Sequence, residues 1–448
     1  MANTALNVAY RLLALTFIGF AAEAEDSPAE VLRQAIARVA ASANSIVNCT
    51  CQQTVTRDFF QPMVPTPPLA CSVLLEQKKH PTLDMLLRLK ATDRLRFDVS
   101  MLYSGEIFSW PGASRFDDAG LRHLVPQGGI GTGTFAGFLG VVFKYDVRSF
   151  VFERYVLGDG RGLMEYSFHA NAAEGHYTLQ LPDGPPVQVG YSGTFQVDPE
   201  TSEIVRLTVE TVGPPQSTHT CASSTTMDLQ MAQIGHVQVL LPTFSQQRFV
   251  YPGGEETVST TAFAHCHEFS GESTIVFAPE PGPAVGGNGR PATQQLVKLP
   301  PNLRFKLDLT APIQTDTAAA GDPFMAKLAA PILDEKQRLV ARAGSPVKGR
   351  LLCVENIRYP RPEVLIIIEP EVLEINGHEA ALMAVADWPH PVINLAEFKR
   401  TGKGVQIMMP LQGEEHAGVF LFSGEHVVVN KGFRTDWRTA SDSSGAFH

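Results

Sequence analysis

Two-residue alternation of apolar and polar side chains, repeated in short segments with turn chemistry between them, constrains this chain more than any other feature. Successive side chains of an extended strand point to opposite faces, so the pattern marks strands with one buried face. The clearest case sets Leu95, Phe97, Val99 and Met101 against Arg96, Asp98, Ser100 and Leu102. Ser104-Gly105 then turns into residues 106–110, which predicts a hairpin. Further strands are expected over 54–60, 150–156, 164–168, 176–181, 187–197, 204–210, 227–233, 236–241, 245–251, 258–266 and 272–277. Gly158-Asp159-Gly160, Asp198-Pro199-Glu200-Thr201 and Pro252-Gly253-Gly254 are among the turns that separate them. About ten strands with short turns predict a meandering antiparallel sheet.

Two segments break the period. Ser27-Pro28-Ala29-Glu30 is a capping box with Pro at the first helical position, and Leu32, Ile36, Val39 and Ala43 follow it on one helical stripe. Phe135, Phe138, Leu139, Val142 and Phe143 stand at helical spacing after the glycine-rich stretch 128–133. An apolar helix inserted there could plug one face of a curved sheet. Between 278 and 295 the Pro and Gly residues crowd together without an apolar pattern, which predicts a linker. Beyond it, Leu303, Phe305, Leu307 and Leu309 alternate with Arg304, Lys306 and Asp308, opening a second β region expected over 296–439. Its other strands are expected over 324–330, 347–355, 364–375, 382–386, 419–422 and 426–429. The expected division is thus a signal peptide (1–24), a first β domain (25–277), the linker, a second β domain, and a polar, disordered tail (440–448).

The signal peptide rests on the apolar run 12–22 and Ala22-Glu23-Ala24, a small-x-small cleavage site. The run is too short for a membrane span, which needs about 20 apolar residues, and no later stretch reaches that length. Export across the inner membrane to the periplasm or cell envelope is therefore expected, with no transmembrane segment. The chain carries 36 basic and 46 acidic residues, net −10, which disfavours nucleic acid as a partner. Six cysteines lie beyond the cleavage site. In an oxidising compartment Cys71 could bridge to Cys49 or Cys51, and Cys221 to Cys266, leaving Cys353 apart.

No motif that carries catalysis or a cofactor survives its context. Gly131-Thr132-Gly133-Thr134-Phe135-Ala136 fits a dinucleotide loop by letter but lacks the preceding strand and the βαβ unit, so it reads as a flexible helix entry. His265-Cys266-His267 on a strand would send its cysteine away from its histidines, so it reads as an exposed His pair over a buried Cys and not a metal site. Gly190-Tyr191-Ser192-Gly193 lies within a strand, where a nucleophile elbow needs a sharp turn. Ser345-Pro346-Val347-Lys348 sits in a turn without companion motifs, and Asp117-Asp118 reads as a surface pair. No enzymatic activity, cofactor or metal is expected.

The capped helix before the first strand, the hairpin 94–110 and the run 191–207 resemble the LolA/LolB/RseB superfamily of envelope proteins, over about residues 27–277. The resemblance implies a mainly β (α+β) fold: a curved antiparallel half-barrel with a helical plug, linked here to a second, small β-barrel-like domain. The entry 299–303 and the turns 320–324 and 343–349 of that second region resemble envelope barrel modules of the TrbI-like type. The implied function is binding of a lipid, a lipoprotein acyl chain or another apolar ligand in the concave face. Phe97, Val99, Met101, Tyr166, Phe168 and Phe195 would line it, and Phe135, Phe138, Leu139 and Val142 would close it. The alternative is an interaction module for another envelope protein, with a filled core and no small ligand.

Overall fold

The computed structural model describes residues 27–268, 297–387, 399–401, 405–408 and 416–440, apart from short internal stretches at 66, 103–104, 114–115, 117–120, 126–128, 147–148, 159 and 180–183. The expected signal peptide, the linker, the strand 272–277, the tail from 441 and Asp117-Asp118 lie outside the described residues.

Ten principal strands build the N-terminal sheet: β1 (Cys49–Pro62), β2 (Leu87–Leu102), β3 (Gly105–Ser109), β4 (Val151–Gly158), β5 (Arg161–Ala170), β6 (Gly190–Asp198), β7 (Glu203–Val212), β8 (Ala222–Ile234), β9 (Val237–Val250) and β10 (Glu256–Glu268). They pair antiparallel in the spatial order β4-β5-β6-β7-β8-β9-β10-β1-β2-β3. Among the described residues β3 and β4 do not pair with each other, so the sheet curves without closing. The antiparallel strands are those the alternation predicted, and their mainly β half-barrel is the one the resemblance implied.

Helix α1 (Pro28–Ser45) packs on the concave face. Ser27 caps it by accepting the Glu30 N–H, and Pro28 starts the first turn. The face it buries is Val31, Ala35, Val39 and Ser42, rotated from the predicted Leu32-Ile36-Val39-Ala43 stripe. The reason is local: the Ser42 hydroxyl accepts the Leu240 N–H at 2.7 Å, and the Tyr166 hydroxyl donates to the Pro28 carbonyl at 2.7 Å. These bonds set the roll of the helix, leaving Leu32 and Ile36 half-buried at its flank. The second plug is a helical turn, Gly137–Gly140, running on into a π-helical turn, Val141–Asp146. A further helix, α2 (Cys71–Lys79), falls where the sequence pattern showed none.

The disulfides pair otherwise than expected: Cys51 with Cys266, and Cys71 with Cys221. Neither Cys71–Cys49, Cys71–Cys51 nor Cys221–Cys266 forms. Strand register decides the first bridge, because β1 lies antiparallel on β10 with Thr50 opposite His267, which brings Cys51 beside Cys266. Cys71 opens α2, which lies over the start of β8, where Cys221 stands. Cys49 is a buried free thiol whose pKa is raised by burial and by the Glu268 charge.

The C-terminal strands are β11 (Arg304–Leu309), β12 (Pro323–Leu328), β13 (Pro346–Ile357), β14 (Glu363–Ile375), β15 (His378–Ala381), β16 (Ala384–Ala386), β17 (Gly418–Ser423) and β18 (Arg434–Thr439). The pairings run β18-β11-β12-β13-β14-β15, and β16, two residues after β15, returns to β18. Of the predicted strand 382–386 only 384–386 is extended, as β16, and β15 before it was not predicted. The C-terminal strands wrap one core that includes Phe305, Val347, Ile366, Phe420 and Trp437.

β2 joins the two strand sets. Its second half pairs with β3, and its first half pairs with β13, Asp93 facing Glu355 and Ala91 facing Ile357. Arg96 N–H donates to the Ala320 carbonyl and Ala320 N–H to the Arg94 carbonyl, each at 2.8 Å, and the Arg96 guanidinium pairs with Asp322.

Candidate functional site

The ten residues expected to line and close a cavity are drawn into two packed cores. Phe97, Val99 and Phe135 belong to one, with Met101 packed against it; Phe138, Leu139, Val142, Tyr166, Phe168 and Phe195 belong to the other. Apart from Met101, which is half-buried, all are 0–5 % exposed. Tyr166 stacks on Phe195 at 5.2 Å between ring centroids, and Phe195 meets Phe150 edge to face at 5.2 Å. Here the plug fills the interior.

Space remains beside it. A cavity of about 700 Å³ lies between the glycine-rich loop, the plug, the segments 176–179 and 218–220 and the end of β9. Of the ten residues only Phe138 lines it. Leu121, Ile130, Val141, Leu179 and Phe249 supply the rest of its apolar wall. The loop lies close on the sheet because its glycines have no side chains: a Cβ on Gly131 would stand 2.5 Å from Gln247 Nε2, and one on Gly129 would strike the Tyr251 hydroxyl.

Glu106 holds that loop. Its carboxylate accepts the backbone N–H groups of Gly133 (2.6 Å), Phe135 (2.8 Å), Ala136 (3.1 Å) and Gly137 (3.2 Å). Burial raises the pKa of this carboxyl, and the four N–H bonds oppose the rise. The dinucleotide-like letters thus form a helix entry already filled by a protein carboxylate. The sequence carried a signal for it: the hairpin register sets Glu106 opposite Met101, an inward position.

Inside the sheet, one cross-strand row is polar: Asp93, Arg57, Ser259, Gln247 and Thr225, each opposite the next across β2-β1-β10-β9-β8. All five are buried. Arg57 and Asp93 form an ion pair at 2.5 Å. The hydroxyls of Ser259 and Thr225 have no hydrogen-bond partner among the described residues. The concave face is therefore apolar at its plugged end and polar beneath the loop. Two-residue alternation misses this, because Ser and Thr on the buried face read as breaks in a strand.

At the lip of the cavity stands a second polar group. Asp146, wholly buried, accepts the His176 N–H at 2.6 Å, the Tyr191 hydroxyl at 2.9 Å and His176 Nδ1. His176 is 62 % exposed and lines the cavity, as does His219, held at φ 52°. Burial, together with the Asp146 bond and charge, pushes the Tyr191 pKa up, so the phenol remains a donor. A carboxylate-oriented imidazole can act as a base, but among the described residues no Ser, Thr or Cys side chain is hydrogen-bonded to its ring.

The remaining motifs keep structural roles. Cys266 is bound to Cys51, between the exposed His265 and His267, so its sulfur is not a free thiolate. Ser192 lies within β6, and Lys348 in β13 pairs with Glu379 at 2.9 Å. Among the described residues no group of three or more His, Cys, Asp or Glu could hold a metal ion, and no helix is long and apolar enough to cross a membrane.

No family model matches this chain, and no curated protein matches it. Among solved structures, it is similar to a LolA superfamily protein from Nitrosomonas europaea, at 10% identity over 55% of this chain and 97% of that one, with a TM-score of 0.27. It is also similar to a DUF1329 family protein from Desulfovibrio piger, at 10% identity, 55% and 96% coverage, and a TM-score of 0.25. Both likenesses fall on about half of the chain.

Proposed function

We propose that this is an exported, non-enzymatic binding protein of the cell envelope that shelters an acyl chain or similar apolar body in the cavity beneath the glycine-rich loop. The cavity carries the reading. Its volume of about 700 Å³ falls within the range of about 300–1,000 Å³ usual for small-molecule sites. Its wall of Leu121, Ile130, Phe138, Val141, Leu179 and Phe249 suits methylenes, each worth about 0.8 kcal/mol on burial. The disulfides Cys51–Cys266 and Cys71–Cys221 support an oxidising compartment such as the periplasm. Of the ten residues expected from the sequence, Phe138 alone lines this site, and the other nine pack behind it.

Purification from native membranes followed by lipid mass spectrometry tests the proposal. A stoichiometric acyl species is expected, displaced when Ile130→Trp fills the cavity. Protein that never carries a lipid, and takes none from mixed micelles, would overturn it.

A second reading, a docking module for another envelope protein, draws on strand β4. It is an edge strand among the described residues, and Tyr155 and Leu157 on it are 60% and 81% exposed. An open edge with apolar side chains suits strand addition by a partner. Crosslinking from β4 that captures one protein, with an empty cavity, would favour it.

A further inference from the structure

The cavity described above has a polar side as well as an apolar wall, and its hydrogen-bonding groups are not equivalent. The densest cluster of donors, the four backbone N–H groups of Gly133, Phe135, Ala136 and Gly137, is already taken by Glu106. An anionic group on a ligand therefore finds the helix entry already occupied. Gln247, on the floor, is neutral and lies under Gly131. The side chains left at the cavity that can carry a second ring N–H are His176 and His219.

His176 is built for such a contact. Its main-chain N–H and its ring Nδ1 both engage Asp146, whose other carboxylate bond comes from Tyr191. Three donors hold this carboxylate in place, and it fixes the imidazole at Nδ1. Nε2 is then the ring atom left for a ligand, on a side chain 62% exposed at the cavity lip. Next along the chain, Tyr177 is anchored by its hydroxyl to Ser223 at 3.0 Å and by its ring to Phe138 at 5.5 Å, so the histidine stands on a rigid strut. Phe138 belongs to the apolar wall, so the place for a chain and the place for a head adjoin.

We infer that the cavity takes a single-chain amphiphile with an anionic head, a carboxylate or a phosphate, bound with a proton on His176 so that Nε2–H donates to the head while Nδ1–H donates to Asp146, the chain running along Phe138 beneath the glycine-rich loop. This rests on the acyl-binding reading above and adds the chemistry of the head. His219 borders the same cavity from the opposite segment and gives the head a second imidazole to approach.

Titration calorimetry of the full chain with dodecanoate, dodecyl phosphate and dodecanol tests this. Both anions are expected to bind about tenfold tighter than the alcohol, the increment of one hydrogen bond to a charged group. His176→Gln, at an exposed position that should leave the fold intact, is expected to bring both anions to the affinity of dodecanol while leaving dodecanol unchanged. A phosphate preferred over the carboxylate, with the same loss in His176→Gln, would identify a phospholipid-type head; the reverse order would identify a fatty acid. Three ligands that bind alike, or an anion preference that survives His176→Gln, would overturn the anionic seat while leaving the acyl cavity standing. Failure of all three to bind would overturn both.

Discussion

Glu106 accepts the Gly133 N–H at 2.6 Å and by that bond fastens the glycine-rich loop to edge strand β3. Three further N–H groups share the same carboxyl, so one side chain satisfies donors that a short helical turn would otherwise leave unpaired. Glu106→Ala would bury four such donors without an acceptor, at a cost of about 3 kcal/mol or more. The expected outcome is a lower urea midpoint and fast amide exchange confined to residues 133–137. Glu106→Gln keeps one acceptor oxygen and is expected to fall between the two. Unchanged exchange at Gly133 in Glu106→Ala would show that the loop is held by something else.

The polar row under the loop supports a prediction of the opposite sign. Thr225 and Ser259 are 1% and 0% exposed and their hydroxyls have no partner among the described residues. Each buried unpaired hydroxyl costs about 1–3 kcal/mol relative to an apolar group of the same shape. Thr225→Val, which replaces the hydroxyl by a methyl, is expected to raise stability by about 1 kcal/mol, read as a higher denaturation midpoint with an unchanged slope. A loss of stability would mean that the hydroxyl is hydrogen-bonded in solution.

Helix α2 is fastened by the Cys71–Cys221 bridge, by Lys78 donating to Glu256 at 2.7 Å, and by one buried leucine, Leu74. So small an apolar anchor cannot hold a nine-residue helix against its conformational entropy. Cys71→Ser is expected to cost about 2–4 kcal/mol, because the bridge closes a loop of 150 residues. It should also open α2 to protease while β1 to β10 stay protected. Limited proteolysis that cuts the variant no faster at 71–79 than the parent protein would contradict this.

Much of this fold was legible because alternation reports burial directly. Leu95, Phe97 and Val99 all point inward as the pattern required, and the glycine-rich stretch followed by Phe135 and Phe138 marked the plug. What escaped depended on partners distant in the chain. The roll of α1 is set by Ser42 reaching Leu240 and by Tyr166 reaching Pro28, contacts that no helical stripe encodes. The disulfide pairing depends on β1 lying beside β10, which joins Cys51 to Cys266 across a sequence separation of 215. The site was half legible. Its apolar residues could be chosen by strand parity, but how far the plug fills the hollow depends on side-chain volumes meeting in three dimensions. Asp146 and His176, 30 residues apart, meet only because the plug ends where the segment before β6 passes.

Glu369 gives the C-terminal core a pH dependence of known sign. It faces Arg350 across β13 and β14, yet Arg350 Nε donates to Glu371, leaving the Glu369 carboxyl without a hydrogen bond among the described residues. Burial, then the Glu371 charge, pushes its pKa up to about 7 from the usual 4.5, against the pull of Arg350. Below the ordinary carboxylate range both the folded and unfolded chains carry the proton, and the group neither adds nor removes stability through pH. Between about 4.5 and 7 the unfolded chain has lost the proton and the folded chain keeps it, so stability falls as pH rises. Above that window the loss is constant, at most about 3 kcal/mol for a group this buried. Other carboxyls shift both ways, Glu106 and Glu355 up, Glu256 and Asp308 down, so the informative quantity is a difference between two proteins. Glu369→Gln, which stays neutral throughout, is expected to gain stability over the parent protein between pH 5 and pH 8 by about 1–3 kcal/mol. Urea midpoints at several pH values measure it, and a gap between the two proteins that does not widen with pH would show that Glu369 is ionised in the folded state across the range.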